Sequence, residues 1–383
     1  MTLPCFLGAG ITSSLGTGVA SHLAALRQPP TLPEIVYRQL GSEHEAIPYK
    51  LLADFPLTDI ETRLLRVMDT VVEQALAEAG LSAAERRNIA LFIGSSSFDI
   101  SVSEHAYQQA QKVHGDAIPL GGSSSFGNLA QAVCKRFGLQ GAEYSFNTAC
   151  TSSANALWYA SRLIASGQIR HALVLGVEVI NDMTALGFHS LGLLTRSVMK
   201  PFDKNRDGLV LGEAASALLL GPGDANNYRL WGGANLCDTY SMSAANADGS
   251  TVAGVIQQAL AEAGKPASAI TSIKVHGTAS LLNDEAEAAG LLQLFPTMPP
   301  VCALKPFLGH TLGACGLTEL ILMWRSLTDA QPFLPATPGI GADASVLGLT
   351  LQQTAATPAP GLCLLNYFGF GGNNTALLIG NGT

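Results

Sequence analysis

The sequence predicts an α/β protein of alternating helical and sheet layers, and two observations carry that prediction. The segment VVEQALAEAG at residues 71–80 recurs as VIQQALAEAG at residues 255–264, with eight of ten positions identical. Each copy is an amphipathic helix that ends at glycine and leads to a β-branched strand. The apolar runs HALVLGVEVI and ASALLLG are typical of strands that helices cover on both faces. A layered α/β/α/β/α arrangement of two similar halves fits both observations.

The polar stretch GPGDANNYR at residues 221–229 is the natural boundary between the halves. It predicts an N-terminal half over residues 1–225 and a C-terminal half over residues 226–383. The alternative is that the two helices look alike only because alanine, glutamate and leucine favour helices. The strand that follows each helix favours duplication.

Composition excludes several classes of protein. The chain has 383 residues, of which 48% are hydrophobic and 13% charged, so it can bury a large core and is not disordered. A net charge of -8 with only 21 Lys and Arg residues argues against a nucleic-acid partner. No apolar run approaches the roughly 18 residues that cross a bilayer, so we expect no membrane span.

The seven cysteines are odd in number, scattered and free of CxxC spacing. This pattern predicts neither a disulfide framework nor a metal site, and it favours a cytoplasmic location. One of them, Cys150, stands in NTACTSSANAL between a small-residue turn and a helix. Backbone N–H groups at a helix start favour a thiolate, so Cys150 is a candidate nucleophile, although a buried structural cysteine is the alternative.

Two histidines complete a possible constellation with this thiol. His276 follows a strand in IKVHGTAS, and His310 stands five residues after Lys305 in KPFLGHTLGACG. Either histidine alone is more often structural. Together with a helix-start cysteine they form a candidate Cys/His/His constellation.

Several motifs in the same order extend the pattern over nearly the whole chain. They are FLGAGITSSLG, NTACTSS, PFDKNRDGLVLGEAAS, HGTAS with NDEAE, KPFLGHTLGACG and NYFGFGGNN. In these motifs the chain resembles the β-ketoacyl-acyl-carrier-protein synthases of the Cys-His-His type. The resemblance implies a duplicated thiolase fold of five layers, α/β/α/β/α, a dimer with itself or with a second ketosynthase-like subunit, and an acyl carrier protein as partner.

The resemblance also implies a reaction and its residues. Cys150 would take an acyl chain, and His276 and His310 would hold the malonyl thioester carbonyl during loss of carbon dioxide. The backbone amides of Cys150 and Phe370 would form the oxyanion hole. No metal or other cofactor is implied, because the substrates arrive on the phosphopantetheine arm of the carrier protein.

Further residues are carried over by motif as supporting groups. Lys305 and Glu287 would fix the histidines, and Phe368 and Phe370 would gate the acyl site. Thr278 and Ser280 of HGTAS would contact the substrate. The basic pair Arg63 and Arg66, three residues apart in a predicted helix, would dock the carrier protein, with local ion pairing as the alternative.

Departures from the family pattern leave two functions open. HGTAS stands in place of HGTGT, with Ala279 and Ser280 substituted, GEAA stands in place of GEGA, and GGNN, with Asn373, in place of GGTN. These changes favour a specialised polyketide or polyene pathway over housekeeping fatty-acid elongation. The alternative function is a chain-length-factor-like subunit that shapes the acyl tunnel of an active partner. A thioesterase-like hydrolase lacks an evident base for water, and the second cysteine of thiolase itself is absent from YFGFGGNN.

Overall fold

The computed structural model describes residues 3–115, 126–224, 226–241, 245–337, 339–340 and 347–381. The strands among these residues are, in chain order, β1 (Cys5–Ser13), β2 (Gly16–Thr17), β3 (Glu34–Leu40), β4 (Glu43–Lys50), β5 (Ala90–Gly94), β6 (Glu143–Phe146), β7 (Ala172–Glu178), β8 (Leu211–Gly212), β9 (Ala214–Gly221), β10 (Arg229–Cys237), β11 (Ile270–Lys274), β12 (Val301–Cys302), β13 (Leu362–Phe368) and β14 (Asn373–Gly380). The α-helices are α1 (Val19–Leu26), α2 (Ile60–Ala79), α3 (Ala83–Arg87), α4 (Ile100–His114), α5 (Phe126–Phe137), α6 (Ser152–Ala165), α7 (Asp182–Ser190), α8 (Ser250–Ala263), α9 (Leu281–Leu294), α10 (Lys305–Leu308) and α11 (Cys315–Thr328).

The strands repeat one topology twice. The N-terminal strands follow the order β1-β9-β7-β5-β6, and the C-terminal strands follow the order β10-β14-β13-β11-β12. In each set the first two pairings are antiparallel and the last two are parallel. The sets touch where Cys5 of β1 lies opposite Arg229 of β10. The duplication that the sequence predicts is therefore a duplication of strand order and direction.

Helices cover both faces of each set of strands. Helix α2 packs on β1 and β9, and α8 packs on β10 and β14, as the two outer layers. Helices α6 and α11 lie between the two sets and contact each other. They approach closely, because a Cβ added at Gly316 of α11 would stand 2.3 Å from the Ala154 nitrogen of α6. The five-layer α/β/α/β/α prediction is confirmed.

The two repeated sequence segments form the outer helices α2 and α8. Each ends before a glycine in the left-handed conformation, Gly80 and Gly264, both with φ of 62°. Glycine adopts this conformation without the steric cost that a Cβ brings, so it ends both helices in the same way. The division at residues 225 and 226 stays a prediction, and residue 225 lies outside the described part of the chain.

A small sheet of β3, β4 and β8 lies beside the main strands. Its short strand β8 bonds to the segment that carries His310. The His310 amide donates to the Val210 carbonyl at 2.7 Å, and the Gly212 amide donates to the His310 carbonyl at 3.0 Å. A histidine of the C-terminal half is thus held by backbone of the N-terminal half.

Candidate active site

Cys150 lies in a sharp turn between β6 and α6. The preceding residue, Ala149, has a left-handed φ of 53°, a conformation that costs a residue with a Cβ about 1–2 kcal/mol. Helix α6 begins at Ser152, two residues after Cys150. Cys150 is only 5% exposed and faces a pocket that His276 and His310 also line. The turn therefore places the thiol where the sequence predicts a nucleophile.

The thiol and one of the histidines are in direct contact. The distance from His310 Nε2 to Cys150 Sγ is 3.1 Å. The His310 Nδ1 atom is buried and has no hydrogen-bond partner among the described residues. An imidazole that is protonated at Nδ1 presents an acceptor Nε2 to the thiol, which is the arrangement a general base requires.

Burial controls the protonation of this pair. It raises the pKa of Cys150 to about 11, although the nearby Lys305 ammonium and the backbone amides of Phe370 and Cys150 act in the opposite direction. Burial and the same ammonium lower the pKa of His310 well below its ordinary value. The helix-start amides favour a thiolate, as the sequence indicates, but desolvation outweighs them. The resting pair is a neutral thiol against a neutral imidazole.

His276 is anchored through its main chain and its ring. Its amide donates to Glu287 Oε1 at 2.8 Å, and the Gly277 amide donates to Glu287 Oε2 at 3.0 Å. Lys305 Nζ lies 3.4 Å from His276 Nδ1. A lysine ammonium can only donate, so Nδ1 accepts and the proton of the neutral ring is on Nε2. The ring centre lies 5.4 Å from that of His310, with the two planes nearly perpendicular.

The predicted supporting acid and lysine have different partners. Glu287 contacts the backbone around His276, whereas Lys305 donates to Glu319 Oε1 at 2.8 Å. Sequence reasoning missed Glu319. The available signal was its position as a lone carboxylate in the apolar run LTELILMW, where a buried charge needs a partner. Burial lowers the pKa of Lys305, but Glu319, Cys315 and Cys150 together outweigh this effect, so the pKa is raised.

The predicted gating and substrate residues surround the same pocket. The Phe368 ring lies 5.5 Å from the His276 ring, and the Phe370 ring stacks on Phe188 at 5.4 Å between ring centres. Phe370 also lines a second, more open pocket, the outer pocket, which shares Leu209 and Asn283 with the catalytic pocket. It therefore lies at the junction between the two pockets.

Thr278 and Ser280 lie on either side of this junction. Thr278 lines the catalytic pocket and Ser280 the outer pocket, and their hydroxyl oxygens are 3.0 Å apart. Between them Ala279 has a left-handed φ of 59°. Glycine would adopt this conformation without strain, so the departure from HGTGT places a strained alanine in the loop between β11 and α9.

The prediction that Arg63 docks a partner is wrong. Its side chain is 6% exposed and donates to both carboxylate oxygens of Glu213, at 2.6 and 2.7 Å. It also donates to the Phe55 carbonyl at 2.8 Å. Arg66 is exposed, with its guanidinium 6.0 Å from the centre of the Phe55 ring. Only Arg66 remains available to a carrier protein.

The described residues contain no group of three or more His, Cys, Asp or Glu side chains that could hold a metal ion. Across the same ranges, no helix has the length and apolar character needed to cross a membrane. All seven cysteines are free thiols.

Comparison with known proteins defines the class. Residues 61–225 match the family described as "Beta-ketoacyl synthase, N-terminal domain", and residues 230–339 match "Beta-ketoacyl synthase, C-terminal domain". The chain belongs to the β-ketoacyl synthase family, a family of acyltransferases. The family predicted from the sequence motifs is confirmed.

Individual relatives are of similar length. The chain is 29% identical to 3-oxoacyl-[acyl-carrier-protein] synthase 2 of Vibrio cholerae over 80% of this chain and 79% of that protein. It is 28% identical to 3-oxoacyl-[acyl-carrier-protein] synthase 2 of Mycobacterium leprae, over 85% and 83%. Among solved structures, it aligns with a chain from the complex of the ketosynthase ApeO with its chain length factor ApeC from Xenorhabdus doucetiae. That alignment has a TM-score of 0.86, 27% identity and coverage of 99% and 98%.

Proposed function

We propose that this chain catalyses decarboxylative Claisen condensation, in which an acyl group on Cys150 is extended by a malonyl group carried on acyl carrier protein. The observation that carries the proposal is the contact of His310 Nε2 with Cys150 Sγ, beside a second neutral imidazole in one pocket. This arrangement combines a nucleophile, a base and a hydrogen-bond donor.

The first step is transfer of the acyl group to the enzyme. The Cys150 sulfur attacks the thioester carbonyl of the acyl carrier while its proton moves to His310 Nε2. The backbone amides of Cys150 and Phe370, which lie against the sulfur, stabilise the oxyanion. Collapse breaks the bond to the phosphopantetheine sulfur, which receives the proton from His310. Because the base lies 3.1 Å from the sulfur, the attack does not require that Cys150 is already a thiolate in the resting enzyme.

The second step forms the carbon-carbon bond. The bond between the malonyl carboxylate and its α-carbon breaks, carbon dioxide leaves, and the electron pair passes onto the thioester as an enolate. The Nε2–H of His276 donates to the enolate oxygen. The first step leaves His310 Nε2 unprotonated, so His310 becomes the second donor once its single ring proton moves from Nδ1 to Nε2. The α-carbon attacks the acyl carbonyl, the Cys150 thiolate leaves, and water supplies the proton that restores the thiol after the product departs. The product chain is two carbons longer.

The neighbouring residues orient these groups. Lys305 holds the His276 ring in the tautomer that can donate, and Glu287 holds the loop on which His276 lies. Phe370, at the junction of the two pockets, gates the route of the phosphopantetheine arm, and Phe368 lies beside the reacting carbonyl. The hydroxyls of Thr278 and Ser280 are suited to the polar groups of that arm.

The carrier protein and a second subunit are the proposed partners. The phosphopantetheine arm brings both substrates, and the reaction proposed here uses no further cofactor. The strand β6 lies at the end of the main sheet with three of its four residues exposed, and it offers an edge for pairing with another subunit. We also propose that the protein is located in the cytoplasm.

The alternative function is a chain-length-factor-like subunit, which has the same fold but does not catalyse condensation itself. The complete set of Cys150, His276 and His310 in contact geometry favours an enzyme, because a subunit that only shapes a tunnel needs no base beside the thiol. The ketosynthase ApeO is solved in complex with its chain length factor. If this chain forms a heterodimer, we propose a pairing of the same kind.

The proposal is tested by incubating the purified chain with two forms of acyl carrier protein, one loaded with an acyl group and the other with a malonyl group. Mass spectrometry of the carrier-bound products is expected to show chains extended by two carbons with loss of carbon dioxide. Extension that appears only when a ketosynthase-like partner with its own cysteine is added would support the alternative. Absence of an acyl adduct on Cys150 under either condition would refute the enzyme proposal.

A further inference from the structure

Lys274 is a buried lysine that the reaction described above does not use. It ends β11 two residues before His276, and no part of its side chain is exposed. Its Nζ donates to Glu319 Oε2 at 2.6 Å and to the Asn366 carbonyl at 2.7 Å, and it lies 3.6 Å from the centre of the Tyr367 ring. An ammonium buried this deeply is retained only with such partners.

One branch of contacts runs from Lys274 to the His276 ring. The two oxygens of Glu319 are shared, with Oε2 bonded to Lys274 and Oε1 bonded to Lys305 at 2.8 Å. Lys305 Nζ then lies 3.4 Å from His276 Nδ1. Because a carboxylate held at both oxygens cannot rotate, Lys274 fixes the direction from which Lys305 meets the ring.

A second branch runs from Lys274 to the backbone of the same histidine. The Asn366 carbonyl accepts from Lys274, and the Asn366 side-chain amide donates to Glu287 Oε1 at 3.2 Å. Glu287 in turn accepts from the amides of His276 and Gly277. The ring and the main chain of His276 therefore depend on one ammonium.

The charges in this cluster are unevenly placed. Lys274 and Lys305 share the carboxylate of Glu319, whereas the second buried acid, Glu287, accepts from the His276 and Gly277 amides and from Asn366. The ionisable groups around Lys274 and His276 come from every element packed there: Glu319 and Cys315 of α11, Lys305 of α10, Glu287 of α9, Cys302 of β12, Cys363 and Tyr367 of β13, and His310. Burial raises the pKa of the three thiols and of the phenol, so these groups are neutral.

We propose that Lys274 is a positioning residue for the condensation step, which fixes the ring and backbone of His276 through Glu319 and Asn366 and supplies part of the positive field that stabilises the enolate. This inference rests on the proposed function. It assigns Lys274 no contact with substrate. Its effect is therefore largest in the step in which His276 acts. Transfer of the acyl group to Cys150 is affected less, because Lys274 reaches His310 only through its charge.

The first test compares Lys274→Met with Lys274→Gln. Methionine removes both the charge and the donor, and condensation is expected to slow by about 10–100-fold, the range found when groups that orient a functional histidine are removed. Glutamine removes the charge but keeps an N–H donor for Glu319 or the Asn366 carbonyl, so it is expected to retain more of the rate. Formation of the acyl adduct on Cys150 is expected to change by less than about threefold in both variants.

The pH profile separates positioning from loss of folding. Burial lowers the pKa of His276 most, and Lys305, His310 and Lys274 lower it further. Removing Lys274 takes away one of these repulsions and leaves Glu319 less neutralised, and both changes raise the pKa of His276. The acid limb of the condensation rate is therefore expected to move to higher pH in both variants. A purely structural lysine would leave this limb unchanged.

Lys50→Met is the matched control. Lys50 is 6% exposed and donates to three oxygens of Thr31 and Leu32, away from the residues that line the catalytic pocket. Its loss is expected to lower the melting temperature without moving the acid limb. If Lys274→Met does not fold, Lys274→Gln carries the pH test.

The inference and the proposed function fail in different ways. A Lys274 variant that condenses at the natural rate with an unmoved acid limb would overturn the inference. The inference would also fail if a Lys274 variant lost acylation and condensation equally and its melting temperature fell as it does in Lys50→Met. A natural protein that takes no acyl group, or never extends one, would overturn the proposed function instead.

Discussion

The two halves of the molecule have the same strand order but unequal chemistry. The middle-layer helix of the N-terminal half, α6, is preceded by the thiol of Cys150. The corresponding helix of the C-terminal half, α11, is preceded by His310 and contains Glu319. The loop after β5 is a run of serines, and the loop after β11 carries His276. The duplicated scaffold thus brings the helix start of one half, with Cys150, to the same pocket as His276 and His310 of the other half.

Each half holds one of these loops with a buried carboxylate. Glu178 accepts from the amides of Ser96 and Ser97, and also from the amide of Gly313 in the other half. Glu287 accepts from the amides of His276 and Gly277. The difference is in the cations: the C-terminal half adds two buried lysines beside its loop. The comparison indicates that the N-terminal half supplies the nucleophile and the C-terminal half supplies the electrostatic control.

The largest expected effect is on the nucleophile. Cys150→Ala is expected to abolish transfer of an acyl group to the protein, because the other described residues that line the pocket carry no thiol. The buried site should tolerate the smaller side chain with little change in melting temperature. Intact-mass analysis after incubation with acyl carrier protein measures the adduct.

Cys302→Ala provides the control from the C-terminal half. Cys302 is fully buried there, and burial raises the pKa of its thiol, so it should neither accept an acyl group nor be needed for the transfer. Normal labelling of Cys150→Ala, or loss of labelling in Cys302→Ala, would break the assignment of the nucleophile to the N-terminal half.

The next effect concerns the histidines. His276→Ala and His310→Ala are each expected to slow condensation by roughly a hundredfold or more, the scale of losing an oxyanion donor. Because His310 also contacts the thiol, its loss should slow acylation too, whereas loss of His276 should not. Burial lowers the pKa of both rings, so the natural protein should keep its condensation rate from neutral pH down to below pH 6.5. Equal effects of both variants on both steps would contradict this division.

The smallest effect is expected at the carrier surface. Arg66→Glu should weaken carrier-dependent acylation by roughly a few-fold at low ionic strength and less at high salt, because an exposed charge acts mainly on encounter and is screened. Arg87→Glu reverses another exposed arginine, on α3, and is the control. Small acyl thioesters should react normally in both. Unchanged salt dependence in Arg66→Glu would place carrier docking elsewhere.

The sequence predicted the scaffold better than the environment of the site. The repeated helices, the fully buried strands β7 and β9 and the Cys/His/His set follow from local patterns that the fold preserves. Arg63 was misplaced because its position was judged from its spacing to Arg66 and from the family resemblance. It lies four residues before the buried Val67 and therefore on the buried stripe of α2.

The remaining errors concern groups whose behaviour depends on long-range contacts. The protonation of Cys150 depends on desolvation by segments distant in sequence, and a helix-start argument cannot supply that quantity. Glu319 was visible as a charge inside an apolar helix, but its partners Lys274 and Lys305 precede it by 45 and 14 residues. Only the folded chain brings these three together.

The division of labour between the halves is tested most directly by a single-turnover experiment on His276→Ala. The variant is first loaded with an acyl group, malonyl carrier protein is then added, and the mass of the protein is followed in time. The adduct on Cys150 is expected to form at nearly the natural rate and then to persist at least roughly a hundredfold longer than in the natural protein. An adduct that disappears at the natural rate while the extended product accumulates would contradict the account.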